Sequence, residues 1–191
     1  MKIGILGGGF DPVHIGHILP LMHLLNKSII EKAIVVPCYR QPLKEEYATP
    51  YGVRLEMALS AFQAMDNVEV SDIESKLPLP SYTIYTLREL KKTYVKDKLF
   101  MIIGEDEAEQ INHWHRFEDI QDYAEFIIIR RSVNQSRIDL KYFGNAVFAD
   151  NPVVEISSTY VRELVKSKKN IRNLTPQTVA DIIFRENLYH A

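Results

Sequence analysis

The chain has 191 residues, 46% of them hydrophobic and 25% charged, and a net charge of −2. That length supports one compact domain with its own core, and the composition is that of a soluble globular protein. The balanced charge supplies no global positive field for nucleic acid or an anionic membrane, so any phosphate site must be local.

Cys38 is the only cysteine, which excludes an intrachain disulfide and fits a reducing compartment. No apolar run approaches the roughly 20 residues of a membrane span. The apolar start is short and interrupted by glycines, unlike a signal peptide, so a cytoplasmic chain is expected.

In chain order, Lys2–Leu6 is an apolar run that stops at three glycines and predicts a buried strand. Gly16–Asn26 carries Ile18, Leu21, Met22 and Leu25 at helical spacing, with Pro20 about one turn in. Ala33–Val36 predicts a second strand, closed by Pro37. Thr49 reads as an N-cap and Pro50 as the first residue of a helix with Leu55, Leu59 and Phe62 inward. Val68–Val70 predicts a short strand, and Ser81 caps a helix with Ile84, Leu87 and Leu90 inward.

Leu99–Ile103 and Phe126–Ile129 are strong strands that end at Gly104 and at Arg130-Arg131. Val147-Phe148 and Val153-Val154 are weaker ones. Ser157-Ser158 opens a helix with Val161, Leu164 and Val165, and Thr175-Pro176 opens the last, with Val179, Ile182 and Ile183. The alternation predicts an α/β fold: a Rossmann-like, doubly wound, mostly parallel sheet with helices on both faces. One domain is expected over residues 1–191, its C-terminal helical portion starting near residue 157. Ligands in such sheets bind beyond the carboxyl ends of the strands. The segments after Leu6, Val36, Ile103 and Ile129 are therefore the places to look.

After the first strand the chain reads Gly7-Gly8-Gly9-Phe10-Asp11-Pro12-Val13-His14-Ile15-Gly16-His17. Glycines let backbone approach a ligand, and a helix start offers N–H groups and a partial positive charge to phosphate. His14 and His17, three apart, share a face there and can donate hydrogen bonds to one polyphosphate; Gly16 between them leaves room for a nucleotide. A second segment, Ile156-Ser157-Ser158-Thr159-Tyr160-Val161-Arg162, caps a helix and sets Arg162 one turn in, where its fork suits phosphate oxygens. Gly104-Glu105-Asp106 follows a strand, where a carboxylate either accepts from ribose hydroxyls or simply starts a helix.

These segments resemble the His-x-Gly-His nucleotidyltransferase superfamily. The resemblance implies that His14 and His17 bind the ATP phosphates and, with Arg162, are catalytic. It implies ATP contacts from Gly7, Gly8, Gly9, Phe10, Gly104, Asp106, Ile156, Ser157 and Ser158, and a role for Mg²⁺ brought with ATP rather than held by a protein metal site. Pro37–Lys44, Ser81-Tyr82-Thr83, Trp114 and the closing Asn187-Leu188-Tyr189 are similar to bacterial nicotinate mononucleotide adenylyltransferase along nearly the whole chain. The likeness implies small-molecule substrates, ATP and nicotinate mononucleotide, in NAD biosynthesis, in a monomer or homodimer.

On that resemblance Lys44, Thr83, Trp114 and Arg131 meet the mononucleotide, Trp114 by stacking on the pyridine ring. Without it, Trp114 reads equally as a half-buried core residue and Lys44 as a solvated one. The chain departs from the family pattern at Leu43 and His115, both on the acceptor side. Nicotinamide mononucleotide or phosphopantetheine as acceptor, and a non-catalytic nucleotide sensor on the same fold, stand as alternatives at this point.

Overall fold

A computed structural model describes residues 1–42, 47–133 and 137–190. Six strands form one sheet: β1 (Lys2–Gly8), β2 (Lys32–Pro37), β3 (Val68–Val70), β4 (Lys98–Gly104), β5 (Glu125–Ile129) and β6 (Val147–Phe148). The order is β3-β2-β1-β4-β5-β6, and every pairing is parallel. Seven helical segments accompany it: α1 (Ile15–Asn26), α2 (Tyr51–Phe62), α3 (Thr83–Thr93), α4 (Glu105–Ala108), α5 (Phe117–Ile120), α6 (Ser158–Lys166) and α7 (Gln177–Arg185).

Side chains alternate across each strand, and this sorts the core into two layers. Ala33, Val35, Phe100, Ile102, Ile127 and Ile129 face α1, α2, α6 and α7. Ile3, Ile5, Ile34, Val36, Leu99, Met101, Ile103, Phe126 and Ile128 face α3, α4 and α5. Burial on both faces explains why the central strands read as unbroken apolar runs. No described helix is long and apolar enough to cross a membrane.

The doubly wound parallel sheet matches the sequence expectation, with four local corrections. Val153-Val154 forms no strand. In α2 the buried set is Arg54, Met57, Ala58 and Phe62, whereas Leu59 is 48% exposed, so the inward face is rotated from the one predicted. Thr49 and Ser81 are not N-caps; Pro50 and Tyr82 hold those positions. The Ser81 hydroxyl accepts from the Arg40 amide instead.

Thr49 has a different task. Its hydroxyl donates to the Tyr189 oxygen at 3.1 Å, and the Tyr189 hydroxyl donates to the Asp11 carboxylate at 2.5 Å. The chain after α7 thus returns to the segment after β1, and Asp11 is only 4% exposed. Removing a hydroxyl that serves a buried carboxylate leaves that carboxylate short of a donor, a loss of about 1–3 kcal/mol. Tyr189→Phe is therefore expected to lower the urea unfolding free energy by that amount; an unchanged midpoint would remove Tyr189 from the groups that hold Asp11.

Candidate active site

β1, β2, β4 and β5 end side by side, with Gly8 opposite Pro37 and Gly104 opposite Ile129. From β1 the chain winds outward through β2 and β3, then returns to β4 on the other side of β1. The crevice of a doubly wound sheet opens at that reversal.

The glycines after β1 serve close approach rather than an unusual backbone. The positive φ of the turn belongs to Phe10, at 49°, and no glycine has one. A Cβ on Gly8 would lie 3.1 Å from the Phe10 ring, and one on Gly9 2.6 Å from the Tyr47 ring. Phe10 holds this strained conformation because its ring is buried in the core.

His14 is the N-cap of α1 and His17 lies in its first turn. The rings stack with centroids 3.8 Å apart, and Phe10 meets His17 edge-on at 5.0 Å. Nδ1 of His17 accepts from the His14 amide at 3.2 Å, so its neutral ring carries the proton on Nε2. Desolvation, then the nearby Arg131 charge, pushes His14 down to about 3. Desolvation, then His14 and Arg131, holds His17 well below its ordinary range. Among the described residues the Nδ1 of His14 is buried with no hydrogen-bond partner, a capacity left for a ligand or water.

Fewer helix amides are free here than the sequence suggests. Ile15 donates to Leu174 O and His17 to His14 O, each at 2.9 Å. A Cβ on Gly16 would lie 2.7 Å from Ile156 Cγ2 and 3.0 Å from His14 Nδ1, so these side chains can approach the helix start only because residue 16 carries none.

Four hydrogen bonds shape the start of α6, two within it and two to the segment after β1. The Ser157 hydroxyl accepts from the Tyr160 amide at 3.1 Å and caps the helix. The Ser158 hydroxyl donates to Pro12 O at 2.9 Å, and Arg162 donates to Asp11 O at 2.7 Å and to Thr159 Oγ1 at 3.1 Å. The sequence had placed Gly7–Phe10, His14, His17, Ile156–Ser158 and Arg162 in one site, and the fold brings them together.

Gly104 ends β4, and a Cβ there would collide with the Asp106 carboxylate and lie 2.5 Å from Arg131 Cδ. Arg131 sits 3.5 Å from Asp106 Oδ2, and its amide donates to Glu105 at 3.2 Å. Among the described residues Arg131 thus contacts the Glu105–Asp106 corner, near the histidines, and makes no contact with Thr83 or Trp114.

Thr83 begins α3 and lines a cavity of about 30 Å³ with Gly7, Val36, Glu74, Thr86 and Met101. Trp114 is half-buried on the apolar layer beneath α3 and α5, and His115 beside it stacks on Tyr82 at 4.1 Å. Leu43 and Lys44 lie outside the described residues.

Three groups had no sequence signal. Glu74 accepts from the Tyr39 amide at 3.0 Å and from the Thr86 hydroxyl at 3.1 Å, and burial raises its carboxyl above the usual range. Asn151 closes the end of β5, accepting from the Arg130 amide and donating to its carbonyl. Arg54 is buried among backbone carbonyls. Burial, then the Glu74 charge, pushes the Cys38 thiol up to about 12, which makes it a poor nucleophile.

Because folded His14 stays neutral down to about 3 and an unfolded histidine protonates near 6.5, the unfolded chain gains protons first as pH falls. His14 burial therefore costs stability progressively from about 6.5 downward. The melting temperature of the native protein is expected to fall more over that window than that of His14→Gln; equal losses would contradict a neutral buried His14.

The cytidylyltransferase-like family matches residues 5–164. A protein of Flavobacterium johnsoniae is 34% identical over 191 residues, 99% of each chain, and one of Thermotoga sp. strain RQ2 is 35% identical over 94% of this chain and 93% of its own. Both are named probable nicotinate-nucleotide adenylyltransferases. The solved nicotinic acid mononucleotide adenylyltransferase of Plasmodium falciparum complexed with NaAD superposes with a TM-score of 0.81 at 25% identity, covering 98% of this chain and 97% of that one. The match in sequence over the full length, with the same fold, means that the chain belongs to the cytidylyltransferase-like nucleotidyltransferases, among the nicotinate-nucleotide adenylyltransferases.

Proposed function

We propose that this chain transfers the adenylyl group of ATP to nicotinate mononucleotide, releasing pyrophosphate and forming deamido-NAD in NAD biosynthesis. The observation that carries this reading is the stacked, neutral His14–His17 pair at the sheet reversal, in a chain related end to end to nicotinate-nucleotide adenylyltransferases.

An oxygen of the mononucleotide phosphate attacks the α-phosphorus of ATP in line. The new P–O bond forms as the bond from that phosphorus to the α,β-bridging oxygen breaks, and pyrophosphate leaves with the electron pair. The attacking oxygen is already anionic, so no general base is required. The chain then has to position the phosphates and stabilise the charge that develops between them.

His14 donates toward the α-phosphate, where charge rises in the transition state. His17, Arg162 and the N-terminal turn of α6 hold the β- and γ-phosphates, with the glycine segment Gly7–Phe10 beneath them. A neutral imidazole donor serves here without the cost of burying its own charge. Asp106, at the end of β4, meets the ribose. Arg131 pairs with that same carboxylate, which favours a role on the ATP side over the acceptor side given to it from the resemblance.

Among the described residues no cluster of three His, Cys, Asp or Glu side chains could hold a metal ion. Mg²⁺ would enter as part of the MgATP substrate and supply neutralisation of phosphate charge.

On the acceptor side, Thr83 at the start of α3 offers helix amides to the pyridine carboxylate, Trp114 stacks on the ring, and Lys44 meets the phosphate or the carboxylate. The substrates are small molecules, and the working unit is a monomer or homodimer. Two core layers that both draw on the same sheet support one domain over residues 1–191. A lone, half-buried free cysteine supports a cytoplasmic setting.

The test is pyrophosphate release from MgATP with nicotinate mononucleotide, nicotinamide mononucleotide or phosphopantetheine. Strong preference for the nicotinate form is expected; preference for the amide would overturn the acceptor and keep the chemistry. His14→Ala is expected to lower kcat by about 10²–10³ with the KM for ATP little changed, because its hydrogen bond strengthens in the transition state. Near-native turnover would remove His14 from that role.

A further inference from the structure

Arg54 heads the large side chains sealed inside the molecule, only 1% exposed on α2. A guanidinium does not shed its proton, so burying one demands a full set of acceptors. Arg54 forms no ion pair among the described residues. It spends its donors on backbone carbonyls instead. Nε donates to Thr49 O at 3.1 Å, Nη2 to Tyr39 O at 3.4 Å, and Nη1 to both Gly9 O and Cys38 O, each at 2.8 Å.

The two acceptors of Nη1 matter most. Gly9 lies just beyond β1 and Cys38 just beyond β2, on neighbouring strands of the sheet. One nitrogen therefore ties the glycine segment to the segment after β2. Tyr47 reinforces the tie, with its ring 3.9 Å from the guanidinium carbon and close against Gly9, where a Cβ would lie 2.6 Å from it. The Tyr47 hydroxyl donates to Gln41, which returns the contact to the same segment. Gly9, Tyr47 and Arg54 form a stack with no slack, and neither segment can shift without breaking a short hydrogen bond to a buried cation.

We propose that Arg54 is a positioning residue that couples the two substrate subsites. By holding the carbonyls of Gly9 and Cys38 on one nitrogen, it makes the order imposed by a ligand on one segment available to the other. The proposal rests on the reading above, in which the first segment meets ATP and the second the mononucleotide. Such coupling is reciprocal: each substrate tightens binding of the other by the same factor. Lysine at this position keeps the charge but loses the planar fork that reaches several carbonyls at once.

Two measurements on the full chain test it. The first is hydrogen–deuterium exchange with a non-hydrolysable ATP analogue alone. Slower exchange is expected at the amide of Tyr39, which donates to Glu74 at 3.0 Å rather than to the glycine segment. The second is calorimetric titration of nicotinate mononucleotide with and without the analogue. The native protein is expected to bind the mononucleotide at least about five-fold tighter with the analogue present. In Arg54→Lys, with folding checked by circular dichroism, that ratio is expected to fall to about one.

Unchanged exchange in the native protein overturns the proposal. So does a native-like ratio in Arg54→Lys alongside a lowered melting temperature, which is what a purely structural arginine gives. If Arg54→Lys does not fold, the exchange result on the native protein decides. If the mononucleotide binds under no condition, the acceptor assignment fails, and exchange with the analogue alone still judges Arg54.

Discussion

β1 carries the whole arrangement. It is the strand hydrogen-bonded to both β2 and β4, and its register with them sets the level at which three strand ends meet the crevice. A slip of one residue against β2 would turn Ile3 and Ile5 toward the wrong core layer. It would also displace the glycine segment by about 3.3 Å along the sheet. Arg54 holds Gly9 and Cys38 at 2.8 Å each, so no such slip is compatible with its hydrogen bonds. Register, core layering and the geometry after the strands therefore specify one another.

The site is built largely from donors that carry no charge of their own. Two imbricated imidazoles 3.8 Å apart could not both be protonated at tolerable cost, and burial keeps both neutral. The fixed positive charge comes from Arg131 and Arg162, tied to Asp106 after β4 and to the Asp11 carbonyl after β1 respectively. Their positions are thus set by the fold before any phosphate arrives, which is what preorganised stabilisation of a developing charge requires. Under the proposed function, a local arrangement of this kind lets a chain of net charge −2 meet a polyphosphate.

Much of this was legible in the sequence because it rests on period and punctuation. Apolar runs that stop at Gly7, Gly104 and Arg130 marked strands, and their C-terminal ends marked the site. Ser157 reads as a cap and is one. What was hidden depends on partners distant in the chain. Thr49 and Ser81 have the chemistry of caps, but the Tyr189 hydroxyl and the Arg40 amide claim their hydroxyls. Arg54 sits beside Leu55 in a helix where an arginine ordinarily faces water; only the carbonyls crowded beyond β1 and β2 turn that face inward and leave Leu59 outside. Gly16 reads as an open position, and only the fold shows that Ile156, from 140 residues away, approaches it closely. Periodicity reports what a segment buries, not which distant group it buries against.

The bond from Tyr189 to Asp11 joins residues 178 positions apart. A ribosome delivers Asp11, in the loop after β1, well before Tyr189, in the stretch after α7. During synthesis the glycine segment and β1 can emerge and begin to pair long before the group that steadies Asp11 exists. The loop after β1 therefore reaches its final form only once the chain through Tyr189 is available to fold back onto it.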